Sequence, residues 1–327
     1  MKKYLAIFVA IILIGSTCAL CACIDNENPQ SQQITMFVPD GAPALSVANI
    51  INCKTVGSAT VNTVVTTGEE VVAKCGSGEA DMAVLPTNAA VKICSTRDDY
   101  QIFSVNVYGV LYVVGTEQID TLSQLKGQTL YSIGLGNTPE YVFKTICDKQ
   151  GISYDGAEGI TIQYESDAST IIPQVLQGNA KFALLGEPAV TQLQNKAASK
   201  GKTVYNLFDL QQLWQEATDS DEVGYPQACM IVKKDLLTDN FAKRLTEELS
   251  KNKEYALQQA TESSLKAELM MNGSTLDLDY TADLIERCNI SFIPAAEAKA
   301  DIERYLSKFQ GMANLLPLHD GVIYEGK

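Results

Sequence analysis

Residues 128–151 read QTLYSIGLGNTPEYVFKTICDKQG. The run from Thr129 to Ile133 is apolar and β-favouring, and a glycine turn follows at Gly134 and Gly136. Thr138 makes a good helix N-cap and Pro139 a good first helical residue, while Gly151 stops the helix. The stretch is therefore one strand–turn–helix unit. Its glycines suggest a dinucleotide fingerprint, but Pro139 stands where the third small residue would let the helix lie close to its strand. Two readings remain: a well-capped helix start with no ligand, or a loop in which Gly136, Asn137 and Thr138 present donors to a small molecule.

Working outward, the same unit recurs on both sides. Before it, ITMFV, VNTVVT and ADMAVL each lead into a helical stretch. After it, ITIQYE, AKFALL and KTVYNLF do the same. Short strands alternating with amphipathic helices predict α/β units around largely parallel sheets. QIFSVNVYGVLYVVG, residues 101–115, is two strand-lengths long and predicts a passage from one sheet to another. VGYPQACMIVKKDLL, residues 223–237, predicts the return. The rest is mainly helical, with a short NISFI strand before the last helix. The domains expected are residues 34–113 with 226–327 as one lobe and 114–225 as the other.

The 327 residues, 46% hydrophobic, suffice for two cores. The net charge of -14 offers no basic face, which excludes a nucleic-acid partner. Lys2 and Lys3 precede the apolar run YLAIFVAIILI and the segment LCACIDN, the pattern of an export signal. The apolar run falls short of the roughly 18–20 residues of a spanning helix. Residues 1–22 are expected to be a lipoprotein signal peptide. Cys23, with Ala22 before it and Leu20 three back, fits a lipidated cysteine better than Cys21 or Cys18. Acyl chains there, at about 0.8 kcal/mol per buried CH₂, would hold the protein on the extracytoplasmic face of the membrane. Residues 23–33 then read as a flexible tether. Cys53, Cys75, Cys94, Cys147, Cys229 and Cys288 follow without a C-x-x-C pair, so no metal site is expected. Most sit in apolar contexts and read as small buried hydrophobes, although export would permit disulfides.

In open α/β sheets ligands bind beyond the carboxyl ends of the strands. The turns there carry Asp40, Gly41, Ala42 and Pro43; Thr67; Pro86, Thr87 and Asn88; Gly136, Asn137 and Thr138; Asp167; and Glu187. Such turns in two separate domains point to one ligand held between them. Catalysis has little support. His319 is the sole histidine, and no G-x-S-x-G, H-E-x-x-H or P-loop motif occurs. Asp40 and Glu187 could form an acid/base pair, or could bind an amino or hydroxyl group of a ligand. No arginine lies in these turns, which disfavours a bidentate clamp.

PDGAPALSVA, GEADMAVLPTNAA, TLSQLKGQTLYSIGLGNTPEYVFKTICDKQGI, IIPQVLQGNAKFALLGEPAVTQL and NISFIPAAEAKADIERYL occur in that order behind the lipobox. From about Ile34 onward the chain thus resembles the substrate-binding lipoproteins of ABC importers, in the branch for sulfonates, nitrate and thiamine-precursor pyrimidines. The resemblance implies a two-lobed periplasmic-binding-protein fold, type II-like, with the ligand in the interlobe cleft. It implies a non-enzymatic protein without a cofactor, whose partners are a small ligand and an ABC permease with its ATPase. Asp40 to Pro43, Thr67 and Pro86 to Asn88 would line one wall; Gly136 to Thr138, Asp167 and Glu187 the other. Tyr108 and Tyr225 would lie near the crossings. The cysteine-rich motif of related pyrimidine synthases is absent, and without a cleft arginine a sulfonate or nitrate ligand fits poorly. A sensor subunit and an exported lyase or isomerase are the alternatives.

Overall fold

The computed structural model describes residues 32–326 except 155, 157, 222 and 263. Cys23, the signal peptide and all but the end of the tether lie outside the described residues.

The first half is built on β1 (Gln33–Pro39), β2 (Thr55–Val56), β3 (Ala59–Thr66), β4 (Met82–Pro86) and β5 (Tyr100–Tyr108), joined later by β11 (Pro226–Lys233) and β12 (Ile290–Pro294). They form a seven-stranded sheet in the order β12-β5-β11-β4-β1-β3-β2. The second half holds β6 (Leu111–Gly115), β7 (Thr129–Ile133), β8 (Thr161–Glu165), β9 (Phe182–Gly186) and β10 (Tyr205–Asp209), in the order β10-β6-β9-β7-β8. The chain changes sheet at Gly109 and Val110, ahead of the 113/114 boundary drawn from the sequence, and returns at Pro226.

The sheets are mixed, not largely parallel. β1 runs parallel to β3 and β4, and β7 parallel to β8 and β9. β6 runs antiparallel to β9, and β11 antiparallel to both β4 and β5. Passage between sheets explains this. β5 runs toward the other half, so its continuation β6 enters the second sheet at the edge where β7, β8 and β9 end. It must then run against them. β11 makes the same entry in reverse.

Helices α1 (Ala42–Leu45), α2 (Ala48–Cys53), α3 (Gly68–Ser77) and α4 (Thr87–Thr96) serve the first sheet. The second has α5 (Thr138–Gln150), α6 (Ala168–Gln177), α7 (Ala189–Ala198) and α8 (Leu210–Thr218). α9 (Asp239–Glu262), α10 (Leu265–Met271), α11 (Ala282–Arg287) and α12 (Ala295–Leu306) complete the first half. Local chemistry sets the ends. Thr67 caps α3 by accepting Glu70 N–H, and Asp167 caps α6 by accepting from Ser169 and Thr170. Gly78, Gly151 and Gly178 close α3, α5 and α6 in the left-handed conformation.

The two halves share a continuous apolar core behind the crossings. Trp214 of α8 contacts Tyr225, Tyr305 and Phe309, with ring centroids 5.3–5.8 Å apart. Tyr225 stacks on Tyr305 at 5.4 Å and 2°. Tyr141 of α5 stacks on Phe309 at 4.9 Å. α5 and α8 of the second half are thus packed on the C-terminal helix of the first. Such aromatic pairs add about 0.5–1.5 kcal/mol each beyond their buried area.

Five of the six cysteines beyond Cys23 are buried, and all six are free thiols; Cys53 is exposed. Burial pushes the Cys75, Cys147 and Cys229 thiols up to about 12.

Candidate functional site

The carboxyl ends of β1, β3 and β4 face those of β7, β8 and β9 across a cavity of about 160 Å³. That is about ten times the room one enclosed water needs, ~10–15 Å³, and so is sized for a small molecule. The first half contributes Pro39 to Pro43, Thr66 to Glu69 and Pro86. The second contributes Ile133, Gly134, Asn137 to Pro139, Ser166 to Ala168, Gly186, Glu187 and Ala189. Of the residues singled out from the sequence, Asp40, Gly41, Ala42, Pro43, Thr67, Pro86, Asn137, Thr138, Asp167 and Glu187 line this cavity.

Thr87, Asn88, Gly136, Tyr108 and Tyr225 are placed elsewhere. Thr87 Oγ1 donates to the Pro226 carbonyl at 2.7 Å, inside the return crossing. Asn88 Nδ2 donates to the Gly136 carbonyl at 2.9 Å, so this pair ties one half to the other. Tyr108 and Tyr225 line a separate cavity behind the crossings, beside Trp214 and Tyr305. Tyr225 is buried there, and its hydroxyl donates to Gln211 Oε1 at 3.1 Å. The sequence marks these tyrosines as near the crossings but carries no sign of which side they face.

The glycine loop differs in detail from its sequence reading. α5 starts at Thr138, and Asn137, not Thr138, holds the N-cap position. Its side chain makes no cap bond and instead donates to the Leu135 carbonyl at 3.3 Å. Glu140 does the capping: its carboxylate accepts the Gly136 N–H at 2.5 Å. Thr138 Oγ1 is turned away to donate to the Gln227 carbonyl at 3.3 Å, a second tie between the halves. Burial raises the Glu140 carboxyl, but the Lys144 ammonium and the Gly136 N–H outweigh it and hold the group below its usual value. Gly134 and Gly136 both have positive φ, at 77° and 72°. Only Gly134 is sterically required, because a Cβ there would meet the Pro139 ring at 2.7 Å.

The carboxylates facing the cavity are mostly engaged. Asp40 Oδ1 accepts from Gly41 N and Ser274 Oγ, and Oδ2 from Thr275 N and Oγ1, all within 2.7–2.9 Å. It thereby fastens the loop carrying Thr275 and Leu276 onto the cleft wall. Glu187, with 1% of its side chain exposed, accepts from Thr191 N at 3.1 Å and from Arg287 Nε at 3.0 Å. Arg287 Nη2 also donates to Thr191 Oγ1 at 3.0 Å. Arg287 ends α11 in the first half and Glu187 follows β9 in the second, so this ion pair is a third tie. Glu187 is thus turned into the protein, with its charge already met. An acid/base pair with Asp40 has no support, because both carboxylates are saturated by fixed partners.

Four features of the site escape the sequence. Thr275 and Leu276 lie in an irregular loop after α10 with no strand-end signal. Gln227 lies inside β11, and its Oε1 accepts the Val110 N–H at 2.9 Å. Arg287 sits at a helix end, 100 residues from its partner. Glu69, in the first turn of α3, lines the mouth and makes no hydrogen bond or ion pair among the described residues.

Solved structures share this architecture. A crystal structure described as an ABC transporter from Parabacteroides distasonis aligns with a TM-score of 0.71 at 21% identity, over 91% of this chain and 100% of that one. The periplasmic aliphatic sulphonate binding protein of Escherichia coli aligns at 0.60 and 14%, over 91% and 94%. A Candida albicans protein described as having the generic periplasmic binding protein fold aligns at 0.56 and 13%, over 89% and 93%. At such identities the likeness shows the fold alone. No curated protein matches the sequence significantly. A family model described as menaquinone biosynthesis matches residues 57–310. That span takes in the second sheet, both crossings and all of the first sheet but β1 and β2, and on it the chain belongs to the menaquinone biosynthesis family.

Proposed function

We propose that the protein is an extracytoplasmic solute-binding lipoprotein, which captures a small molecule by closure of its halves and delivers it to an ABC importer permease. The observation that carries this is the cavity between two sets of strand ends, with ties between the halves around it. Asn88–Gly136, Thr138–Gln227 and Glu187–Arg287 all join groups from opposite halves. Breaking and remaking of these ties would open and close the cleft, and a ligand that completes the closed arrangement shifts the population toward it. The fold shared with binding components of importers supports the reading. The lipobox at Cys23 supports attachment to the outer face of the membrane. Residues 34–113 with 226–327, and 114–225, are the moving bodies in this scheme.

The family match favours a second reading, an enzyme of menaquinone biosynthesis on the same scaffold. The two readings separate in one experiment. Native mass spectrometry of the protein purified from its own host should show a bound small molecule, released unchanged on denaturation. Release of a chemically altered product after incubation would instead make the protein an enzyme.

A further inference from the structure

The proposed solute-binding cleft has a definite chemical preference, and the inference below rests on that reading. Every ionisable side chain lining the cavity is acidic: Asp40, Glu69, Asp167 and Glu187. Among the described residues, no lysine, arginine or histidine lines it. Arg287, behind Glu187, is spent on Glu187, Thr191 and Asp283.

Helix N-termini could still hold an anion, since their N–H groups and dipoles favour negative charge. Four of these ends already carry a carboxylate of the chain itself, while α4, which starts beside Pro86, carries none. Glu69 and Glu70 lie in the first turn of α3. Glu140 accepts Gly136 N–H before α5. Asp167 accepts Ser169 and Thr170 N–H at the start of α6, at 2.7 and 3.2 Å. Glu187 accepts Thr191 N–H in α7. An anion in the cavity would meet the four carboxylates that line it, Asp40, Glu69, Asp167 and Glu187, in a partly dehydrated space, where repulsion is stronger than in water.

The hydroxyls point the same way. Thr66 donates to Glu70, Thr138 to Gln227 and Thr275 to Asp40. These three hydroxyl donors are thus consumed within the protein, while two carboxylates keep free acceptor oxygens. Glu69 has no partner among the described residues, and Asp167 Oδ2 has only a 3.5 Å contact from Ser166. These two carboxylates come from opposite halves. Finally, no aromatic side chain among the described residues lines the cavity; its apolar wall is Val110, Leu111, Ile133, Leu276, prolines and alanines. A flat heterocycle would find no ring to stack on.

We infer that the cleft takes a small aliphatic hydrogen-bond donor without negative charge, best an amine held between Glu69 and Asp167, and that it rejects sulfonates, nitrate and carboxylates. A bound ammonium also removes the repulsion that closure creates between those two carboxylates, so it couples ligand charge to closure.

The test is a thermal-shift panel on the mature protein at neutral pH and low salt. Short aliphatic skeletons would each be offered as the amine, the alcohol or amide, the carboxylate and the sulfonate, with nitrate alongside. Amines, and more weakly alcohols or amides, should raise the midpoint, by about 5 °C at a hundredfold excess over Kd. Anions should leave it unchanged. Glu69→Gln removes no contact seen in the structure, so it should fold normally and weaken amine binding about tenfold while sparing the alcohols. Stabilisation by any anion, or an unaltered amine response in Glu69→Gln, would overturn the inference and leave solute binding intact. A flat response to every member of the panel would remove the solute-binding reading and the ligand class with it.

Discussion

Arg287→Ala tests the closed arrangement most directly. In the native protein the Glu187 carboxylate is buried, with 1% of its side chain exposed, and Arg287 Nε lies 3.0 Å from it. Truncation leaves the carboxylate with Thr191 alone. A hydrogen bond to a charged group contributes about 1.5–3 kcal/mol. Arg287 is 38% exposed, so water partly replaces it and the lower end applies, about 1.5 kcal/mol. The contact to Asp283, whose side chain is 82% exposed, adds little. About 1.5 kcal/mol is roughly a tenfold shift. Because the pair joins the two halves, the shift falls on the equilibrium between open and closed forms as well as on unfolding. Urea unfolding of wild type, Arg287→Ala, Glu187→Gln and the double variant gives the coupling energy, expected at about 1 kcal/mol. Small-angle scattering of the ligand-free protein should show Arg287→Ala to be the more extended. Singles that add to the double within about 0.3 kcal/mol, with unchanged scattering, would refute the argument that this pair holds the halves together.

Other outcomes follow from the glycine loop and the thiols. Gly134→Ala places a Cβ 2.7 Å from the Pro139 ring at a φ of 77°, and should cost about 2–3 kcal/mol of unfolding free energy. Gly136→Ala has open space and should cost only about 1 kcal/mol; equal costs would contradict the steric assignment. The Glu140 carboxyl lies below the ordinary glutamate value in the folded protein, so its contribution is present above that ordinary value and lost as pH falls through the lower folded value. Glu140→Gln should therefore flatten the acid limb of the stability profile, and a limb identical to wild type would exclude Glu140 as its source. Native labelling with iodoacetamide at mildly alkaline pH should modify Cys53 and spare Cys75, Cys94, Cys147, Cys229 and Cys288, read by peptide mass. Rapid loss of a second thiol would mean a core far less closed than described.

Much of this molecule is legible in its sequence. The strand runs, the two crossings and the helical C-terminal part are local signals, set by β-branched runs, caps and glycine stops. The turns that line the cavity are legible for the same reason, since they follow directly from strand ends. What fails is everything decided by direction or by distance along the chain. The antiparallel placement of β6 and β11 follows from which way each strand enters its sheet. The burial of Glu187 depends on Arg287, and the fixed role of Asp40 on Ser274 and Thr275; neither partner is close in sequence. Thr87, Asn88 and Gly136 are at the correct turns, yet Thr87 bonds the Pro226 carbonyl and Asn88 and Gly136 bond each other across the halves instead of facing the cavity. Asn137 rather than Thr138 takes the N-cap position, and the Thr138 hydroxyl bonds a residue 89 positions away, Gln227.

Trp214 is the sole tryptophan of the chain and sits edge-on to Tyr225 and Phe309, with Tyr305 beside it. The rings around it come from both halves and from the return crossing. Any change in the angle between the halves moves the indole relative to that cage. Its intrinsic emission would therefore report the proposed hinge motion without a dye or an engineered label, and stopped-flow fluorescence would time each opening directly.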